Sequence, residues 1–250
     1  MFKNASGTSR IARKALASLA AVTLLGAGLV GCSSSSSGGG TLTYLTNADS
    51  WTHADPNRNY TGQHIAWFGS YMHRTLTAYK RAAGADGSSV VPDMATDTGR
   101  SSNGNKTWEF TIRDGVTFED GAEVTCEDVK YGVSRTFATD VITDGPGYAI
   151  SMLDIPKDKD GSSAYKGPYK KTGQALFDKS INCSSDNRTI TFNLSRTVPD
   201  FNYYLTYLAG GPVPQAKDTG DKYDLRPMAS GPYMIKKYAI NDEMVLVRNP

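Results

Sequence analysis

Apolar and polar residues alternate strictly from residue 108 to residue 113. Trp108, Phe110 and Ile112 share one face of this segment, and the residues between them are polar. A period of two is the pattern of a half-buried β strand. Two Asp-Gly pairs follow, at 114–115 and 120–121, and such pairs favour turns. The segment therefore predicts a strand that is followed by two closely spaced turns.

A helix is predicted directly after the second turn. Thr125 and Asp128 are three residues apart, which is the spacing of a capping box, where each side chain bonds the backbone of the other residue. Val129, Val133 and Phe137 then recur at helical spacing. The pattern predicts a helix that begins near Thr125 and buries one apolar face.

The rest of the chain shows weaker versions of the same two patterns. They predict a short strand at Thr41–Thr46, a helix within Thr61–Tyr79, an exposed loop at Asp154–Thr172, a helix at Asp200–Leu208, and a C-terminal hairpin of Tyr233–Tyr238 with Val245–Arg248.

The strand, turns and helix together carry a longer motif. Residues 108–129 fit the pattern W-x-F-x-[IL]-R-x-G-V-x-F-x-D-G-x-x-[VL]-T-x-x-D-V. This pattern resembles the signature of extracellular solute-binding proteins of the oligopeptide/dipeptide class, family 5, which serve ABC importers. Residues 230–233, Ser-Gly-Pro-Tyr, resemble a second element of that family. The resemblance implies a periplasmic-binding-protein-like α/β fold (class II, mixed sheets) that is two-lobed in the full-length protein.

The resemblance also implies a division of the chain. Family members are much longer than this chain, so we expect an N-terminal portion in which the larger lobe is incomplete. The expected parts are a lipoprotein signal peptide (1–32), a Ser/Gly tether (33–40), the first part of a split lobe I (41–70), a small domain II with the family signature at 108–135 (71–195), and a truncated return to lobe I (196–250).

The N-terminus has the features of an export signal. Lys3, Arg10, Arg13 and Lys14 precede an apolar run at 15–30, whose 16 residues are fewer than the roughly 20 that a membrane-spanning helix needs. The tetrapeptide that ends at Cys32 resembles a bacterial lipobox, in which the cysteine is acylated. A plain signal peptide with an incidental cysteine is the alternative. The Ser/Gly run that follows favours a flexible tether and anchoring on the outer face of the membrane.

Processing at Cys32 changes the charge balance. The whole chain has 27 basic and 25 acidic residues. Four basic residues and no acidic one precede Cys32, so the processed chain has 23 basic and 25 acidic residues, a net charge of −2. The basic surface that binds nucleic acid is absent from this composition.

Two cysteines remain after Cys32 is assigned to lipid. Cys126 and Cys183 can form a disulfide if the protein is exported to an oxidising compartment. Two separate free thiols are the alternative.

Ligand-binding residues are implied by the resemblance alone. In the family, the segment that corresponds to residues 59–63 borders the ligand cleft, which suggests Tyr60, Thr61 and Gly62 as substrate-binding residues. A tyrosine at the position of Tyr148 faces the ligand in relatives. The alternative for Tyr148 is an ordinary surface tyrosine, since the chain has 14 tyrosines.

No enzyme site or metal site is predicted. The three histidines lie at 53, 64 and 73 and lack the His-Glu-x-x-His spacing of a zinc site. The Ser-x-x-Lys sequence at 163–166 lacks the further motifs that accompany it in β-lactamases. We therefore expect no catalytic residues, no bound metal and no cofactor.

The resemblance implies a monomeric, membrane-anchored extracellular protein that captures oligopeptides or dipeptides for ABC permease subunits. One alternative is a binding protein of the same class whose ligand is nickel, haem or an oligosaccharide. A second is a lipoprotein receptor for a signalling peptide, without a role in transport.

Overall fold

The computed structural model describes residues 40–46 and 53–250. Its α helices are α1 (Gly62–Tyr71), α2 (Cys126–Arg135), α3 (Tyr148–Met152), α4 (Gln174–Ser180) and α5 (Phe201–Tyr204). Its strands are β1 (Thr77–Tyr79), β2 (Val90–Pro92), β3 (Arg100–Ser102), β4 (Thr107–Thr111), β5 (Ile181–Cys183), β6 (Thr189–Asn193), β7 (Tyr233–Ala239) and β8 (Glu243–Arg248).

The largest sheet within the described residues has four strands in the order β3-β4-β6-β5, and each neighbouring pair is antiparallel. In β4, Trp108 is opposite Phe192 of β6 and Phe110 is opposite Ile190. All four side chains are buried, as the alternating pattern of β4 predicts. β1 with β2 and β7 with β8 form two separate antiparallel pairs.

Helix α2 packs on this sheet and begins as the sequence predicts. The backbone N–H of Thr125 donates to Asp128 at 2.9 Å, and the backbone N–H of Asp128 donates to Thr125 Oγ1 at 3.4 Å. Both halves of the capping box are therefore present. Burial raises the pKa of Asp128, and the hydrogen bonds from Thr125 oppose that shift. Val129 and Val133 enter the core from the apolar face of α2.

A disulfide joins α2 to the sheet. Cys126 is the first residue of α2 and Cys183 is the last residue of β5, and the structure connects their sulfurs with Cα atoms 5.7 Å apart. The bridge closes a sequence separation of 57 residues. It therefore links the helix of the family signature to the far edge of the four-stranded sheet.

The described chain has two apolar clusters. The first draws on residues between Leu76 and Leu205 and includes the faces of β4, β6 and α2. The second is smaller and combines Ala54, Phe68 and Met72 with residues from 208 to 246. Because Leu205 belongs to the first cluster, the clusters do not divide at residue 195. The domain boundaries at 70 and 195 remain predictions.

The weaker sequence predictions have mixed outcomes. Residues 41–46 do not form a strand, and Leu42 and Leu45 are 89% and 88% exposed, so the alternation there does not reflect a buried face. The helix predicted within Thr61–Tyr79 is present as α1, which ends at Tyr71, and residues 77–79 form β1. The helix at Asp200–Leu208 is limited to Phe201–Tyr204, and a separate 3-10 turn follows at Leu208–Gly210.

The segment at 154–172 has no helix or strand but is not wholly exposed. Tyr165 is only 1% exposed, because its ring stacks on Phe177 with the ring centres 4.5 Å apart and also contacts Phe137. The C-terminal hairpin is confirmed, with strands at Tyr233–Ala239 and Glu243–Arg248. Among the described residues, no helix has the length and apolar character needed to cross a membrane.

The disulfide yields a first prediction. Alkylation of the folded protein without reductant should label neither Cys126 nor Cys183. Replacement of both by serine should lower the free energy of unfolding by about 4 kcal/mol, because the unfolded chain regains the freedom of a long loop. Denaturant titration measures the loss. The control is the same titration with reductant. Reductant should lower the free energy of unfolding of the wild-type protein and leave that of the double variant unchanged. Labelling of Cys126 in the folded protein would contradict the bridge.

Candidate functional site

Arg135, the last residue of α2, is the centre of a buried network of charges. Its side chain is fully buried, and its guanidinium donates two hydrogen bonds of 2.7 Å to the carboxylate of Asp55. Its Nε donates to Asp218 at 3.1 Å, and its guanidinium carbon lies 4.8 Å from the ring centre of Tyr223. Burial alone lowers the pKa of Arg135, but the hydrogen bonds and charges of the two carboxylates outweigh it and raise that pKa. Arg135 therefore stays charged and binds both carboxylates.

Two phenols also donate to Asp218. The phenols of Tyr131 and Tyr169 donate to its Oδ2 at 2.8 and 2.7 Å. Burial raises the pKa of Tyr169 to about 12, so this phenol is protonated at neutral pH and remains a donor. The carboxylate of Asp218 therefore accepts hydrogen bonds from Arg135 and from both phenols.

The segment at 53–59 is held mainly by polar contacts of this kind. The backbone N–H of Asp55 donates to Asp224 at 2.9 Å, and His53 also bonds the carboxylate of Asp224. The side-chain amide of Asn57 donates to the carbonyl of Gly132 in α2 at 2.8 Å. The residues that lead into Tyr60 are therefore fixed to both α2 and the 218–224 segment.

The loop before α3 packs directly on the same segment. Gly145 has a φ of +88°, and a Cβ atom built there would lie 2.0 Å from the carbonyl oxygen of Asn57. Only glycine allows this approach. Arg58 donates to Asp144 at 3.0 Å, and this hydrogen bond holds the pKa of Asp144 below its ordinary value. Since α3 begins at Tyr148, the contact places Tyr148 near the residues after Arg58.

The result is a group of four tyrosines, Tyr60, Tyr148, Tyr204 and Tyr207, which we call the tyrosine cluster. The hydroxyl groups of Tyr60 and Tyr148 are 3.3 Å apart in a hydrogen bond, which raises the pKa of Tyr60. The ring of Tyr148 lies 5.1 Å from the ring centres of both Tyr204 and Tyr207. Tyr60 is 54% exposed. The structure thus brings together two residues that the resemblance implies separately.

A small apolar cavity of about 40 Å³ lies beside the tyrosine cluster. Tyr148, Tyr204 and Tyr207 line it and are half-buried. The deeper wall includes Met152 and Leu205, which are buried members of the main core. The cavity therefore leads from the tyrosine cluster toward the core.

Thr61 and Gly62 have other places. Thr61 is the N-cap of α1, and its Oγ1 accepts a hydrogen bond from the backbone N–H of His64 at 3.3 Å. Gly62 is the first residue of α1. It lines a separate, larger open pocket with a volume of about 1000 Å³, which Arg74 and Asp93 also line. A helix cap explains Thr61 without a ligand.

No metal site is evident in the described part of the chain, where no three His, Cys, Asp or Glu side chains are grouped so as to hold an ion. His73 is buried, and its Nε2 is 3.1 Å from the carbonyl oxygen of Ala54; burial lowers its pKa. Cys32 lies outside the described residues.

Comparison with known proteins places these observations in a family. The family model described as bacterial extracellular solute-binding proteins, family 5 Middle, matches residues 89–250. The chain belongs to this family. Family 5 membership accounts for the signature at 108–129, whose strand, turns and capped helix the structure contains.

Several family 5 proteins are similar to this chain. The periplasmic murein peptide-binding protein MppA of Escherichia coli is 26% identical over 171 residues, which are 64% of this chain and 28% of MppA. The periplasmic oligopeptide-binding protein OppA of Salmonella typhimurium is 28% identical over 149 residues, which are 58% of this chain and 26% of OppA. The chain therefore spans less than a third of the length of these two relatives.

Solved structures give the same fold. The structure of clavulanic acid biosynthesis oligopeptide binding protein 2 superposes with a TM-score of 0.70 at 35% identity, covering 79% of this chain and 34% of that one. The pheromone receptor PrgZ superposes with a TM-score of 0.62 at 18% identity, covering 79% of this chain and 37% of that one.

Sequence reasoning missed three residues of the site. Tyr204 and Tyr207 are three residues apart, a helical spacing that would have placed them on one face. Arg135 gives no local signal, because its partners Asp55 and Asp218 are 80 and 83 residues away.

The buried network yields a second prediction. Arg135→Met should lower the free energy of unfolding by about 3–5 kcal/mol, because it leaves buried carboxylates without their cation. Chemical denaturation monitored by tryptophan fluorescence measures the change. The matched control is Lys170→Met, which removes an exposed ion pair with Asp140 and should leave the midpoint almost unchanged. Equal midpoints for the two variants would show that the network is not stabilising.

Proposed function

We propose that this chain is part of an exported binding protein that captures peptides outside the cell membrane and delivers them to an ABC importer. The observation that carries the proposal is the contact between Tyr60 and Tyr148, whose hydroxyls are 3.3 Å apart. These residues come from the two segments that the family resemblance associates with the ligand. Their meeting at one exposed surface is what a ligand-binding wall requires.

The names of several relatives support a peptide ligand. MppA is named for murein peptides and OppA for oligopeptides, and a third relative, DdpA of Escherichia coli, is named as a probable D,D-dipeptide-binding protein. These names describe the relatives, and the ligand of this chain is inferred from them.

Tyrosines suit a surface that binds many peptides. Each ring presents a large apolar face with few rotatable bonds, and each phenol both donates and accepts hydrogen bonds. A peptide backbone can bond a phenol whatever its side chains are, so affinity does not depend on one sequence. Closure of a second lobe over the peptide would then remove water from these contacts.

The alternatives are three other ligands, namely nickel, haem and an oligosaccharide, and one other role, which is peptide signalling. A nickel ion held by His, Cys or carboxylate ligands gains no support from residues 40–46 and 53–250, since no suitable group is present there. Haem and oligosaccharides have no specific observation in their favour. A signalling role has one, because PrgZ is described as a pheromone receptor with a mode of peptide binding. In that role the same surface would bind a peptide without delivery to a permease.

Anchoring and location follow the same proposal. The N-terminal signal and Cys32 support a protein that is lipid-anchored on the outer face of the membrane. A monomer is the expected state, and ABC permease subunits are the expected partners.

The third prediction concerns the ligand contact. Peptides that co-purify with the native exported protein are identified by mass spectrometry, and their affinity is measured by calorimetry. Tyr148→Ala should weaken binding by roughly tenfold or more, because it removes a ring that packs on the peptide. Tyr148→Phe retains the ring and should have a smaller effect.

Tyr203→Ala is the matched control for that experiment. Tyr203 is 41% exposed and packs against Tyr79, at 6.1 Å between ring centres, outside the tyrosine cluster. It should leave the affinity unchanged. Equal affinities for Tyr148→Ala and Tyr203→Ala would mean that the tyrosine cluster is not the binding surface.

The fourth prediction concerns the anchor. Cys32→Ala should prevent acylation and move the protein from the membrane fraction to the soluble extracellular fraction. Detergent phase partitioning with immunoblotting measures this. If the variant still partitions into detergent, Cys32 is not the lipid attachment site.

A further inference from the structure

The cavity beside the tyrosine cluster has a mainly apolar wall, and several of its polar groups already have partners. The hydroxyl of Thr136, which lines it, donates to the carbonyl of Val133 at 2.8 Å. The backbone N–H of Gly210 donates to Tyr207 at 2.9 Å, and the carbonyl of Ala209 accepts from Asn57 at 3.4 Å. A charged group that entered this apolar wall would lose more hydration than these groups could replace. The chemistry of the wall therefore selects an apolar guest.

The size of the cavity also limits which apolar groups it can hold. Its volume is about 40 Å³, whereas a cavity of ~150 Å³ holds benzene in another protein. By that comparison the space admits roughly two carbon atoms without moving its walls. The two methyl groups of a valine side chain meet this limit, and aromatic side chains exceed it.

The position of the cavity connects it to the proposed peptide surface. Tyr148 belongs both to the cavity wall and to the contact with Tyr60. Tyr204 and Tyr207 also border the cavity and are only half-buried. A peptide that lies across Tyr60 and Tyr148 therefore has a side chain within reach of the cavity.

We propose that this cavity is a side-chain pocket that selects a small aliphatic residue at one position of the bound peptide. The inference rests on the proposed function and extends it from peptides in general to a class of peptides. The selected residue fills a dry space, so its contribution to affinity comes from apolar burial. Polar and aromatic residues at that position are excluded, the first by desolvation and the second by volume.

The test uses the native exported protein and a set of synthetic peptides. Each position of a co-purifying peptide is replaced in turn by Gly, Val, Phe and Asp, and calorimetry measures each affinity. At one position, Val should bind roughly tenfold or more tightly than Gly, and Phe and Asp should bind more weakly than Val. At the other positions the four residues should differ less.

A variant that fills the cavity provides a second test. Ala149 lines the cavity, so Ala149→Leu should remove the preference for Val over Gly at the selective position. Ser101→Leu is the matched control, because it adds the same bulk at an exposed position of β3 and should retain the preference. If Ala149→Leu does not fold, the peptide series with the unaltered protein decides alone.

The outcomes separate this inference from the proposed function. If peptides bind but no position prefers Val over Gly, Phe and Asp, the pocket is wrong and the function stands. A preference that persists in folded Ala149→Leu also overturns the pocket. If no peptide binds the native protein, both fail. A single aliphatic-selective position that Ala149→Leu abolishes supports the pocket.

Discussion

The ion pair between Arg135 and Asp55 determines where the segment before Tyr60 lies. Residues 53–59 read His-Ala-Asp-Pro-Asn-Arg-Asn, so only two small apolar side chains, those of Ala54 and Pro56, are available to bury. Apolar burial is too weak to place such a segment, and the buried guanidinium does so instead. Two charges in a protein interior are stabilising only as a pair with further hydrogen bonds. Asn57, Asp218 and the phenols around them provide those bonds.

Local patterns predicted local structure well. The strand at β4, the capping box of α2 and the C-terminal hairpin each depend on residues within a few positions of one another, and all three are present. The helix predicted within residues 61–79 is also present, but it is shorter than that range. It ends at Tyr71, and residues 77–79 pair with β2. Leu76 is buried, but it reaches the core from outside the helix.

The site was predictable only in part. The resemblance pointed to Tyr60 and Tyr148, and the structure places them in contact. It could not point to the cavity, because that space arises where α3 and α5 leave a gap in their packing, and no single segment encodes a gap. Gly145 was predictable only in part. A Gly-Pro-Gly loop at 145–147 indicates a turn, but its sequence does not indicate that the backbone of Asn57 will touch it.

The long sequence separations in this network have a consequence for how the molecule is made. Asp55 bonds Asp224, 169 residues later, and Asn57 bonds Ala209, 152 residues later. A ribosome delivers residues 53–59 first, and water must solvate their polar groups until these partners emerge. Contacts between residues so far apart form slowly. The position of Tyr60 therefore depends on contacts that exist only once residue 224 has joined the fold.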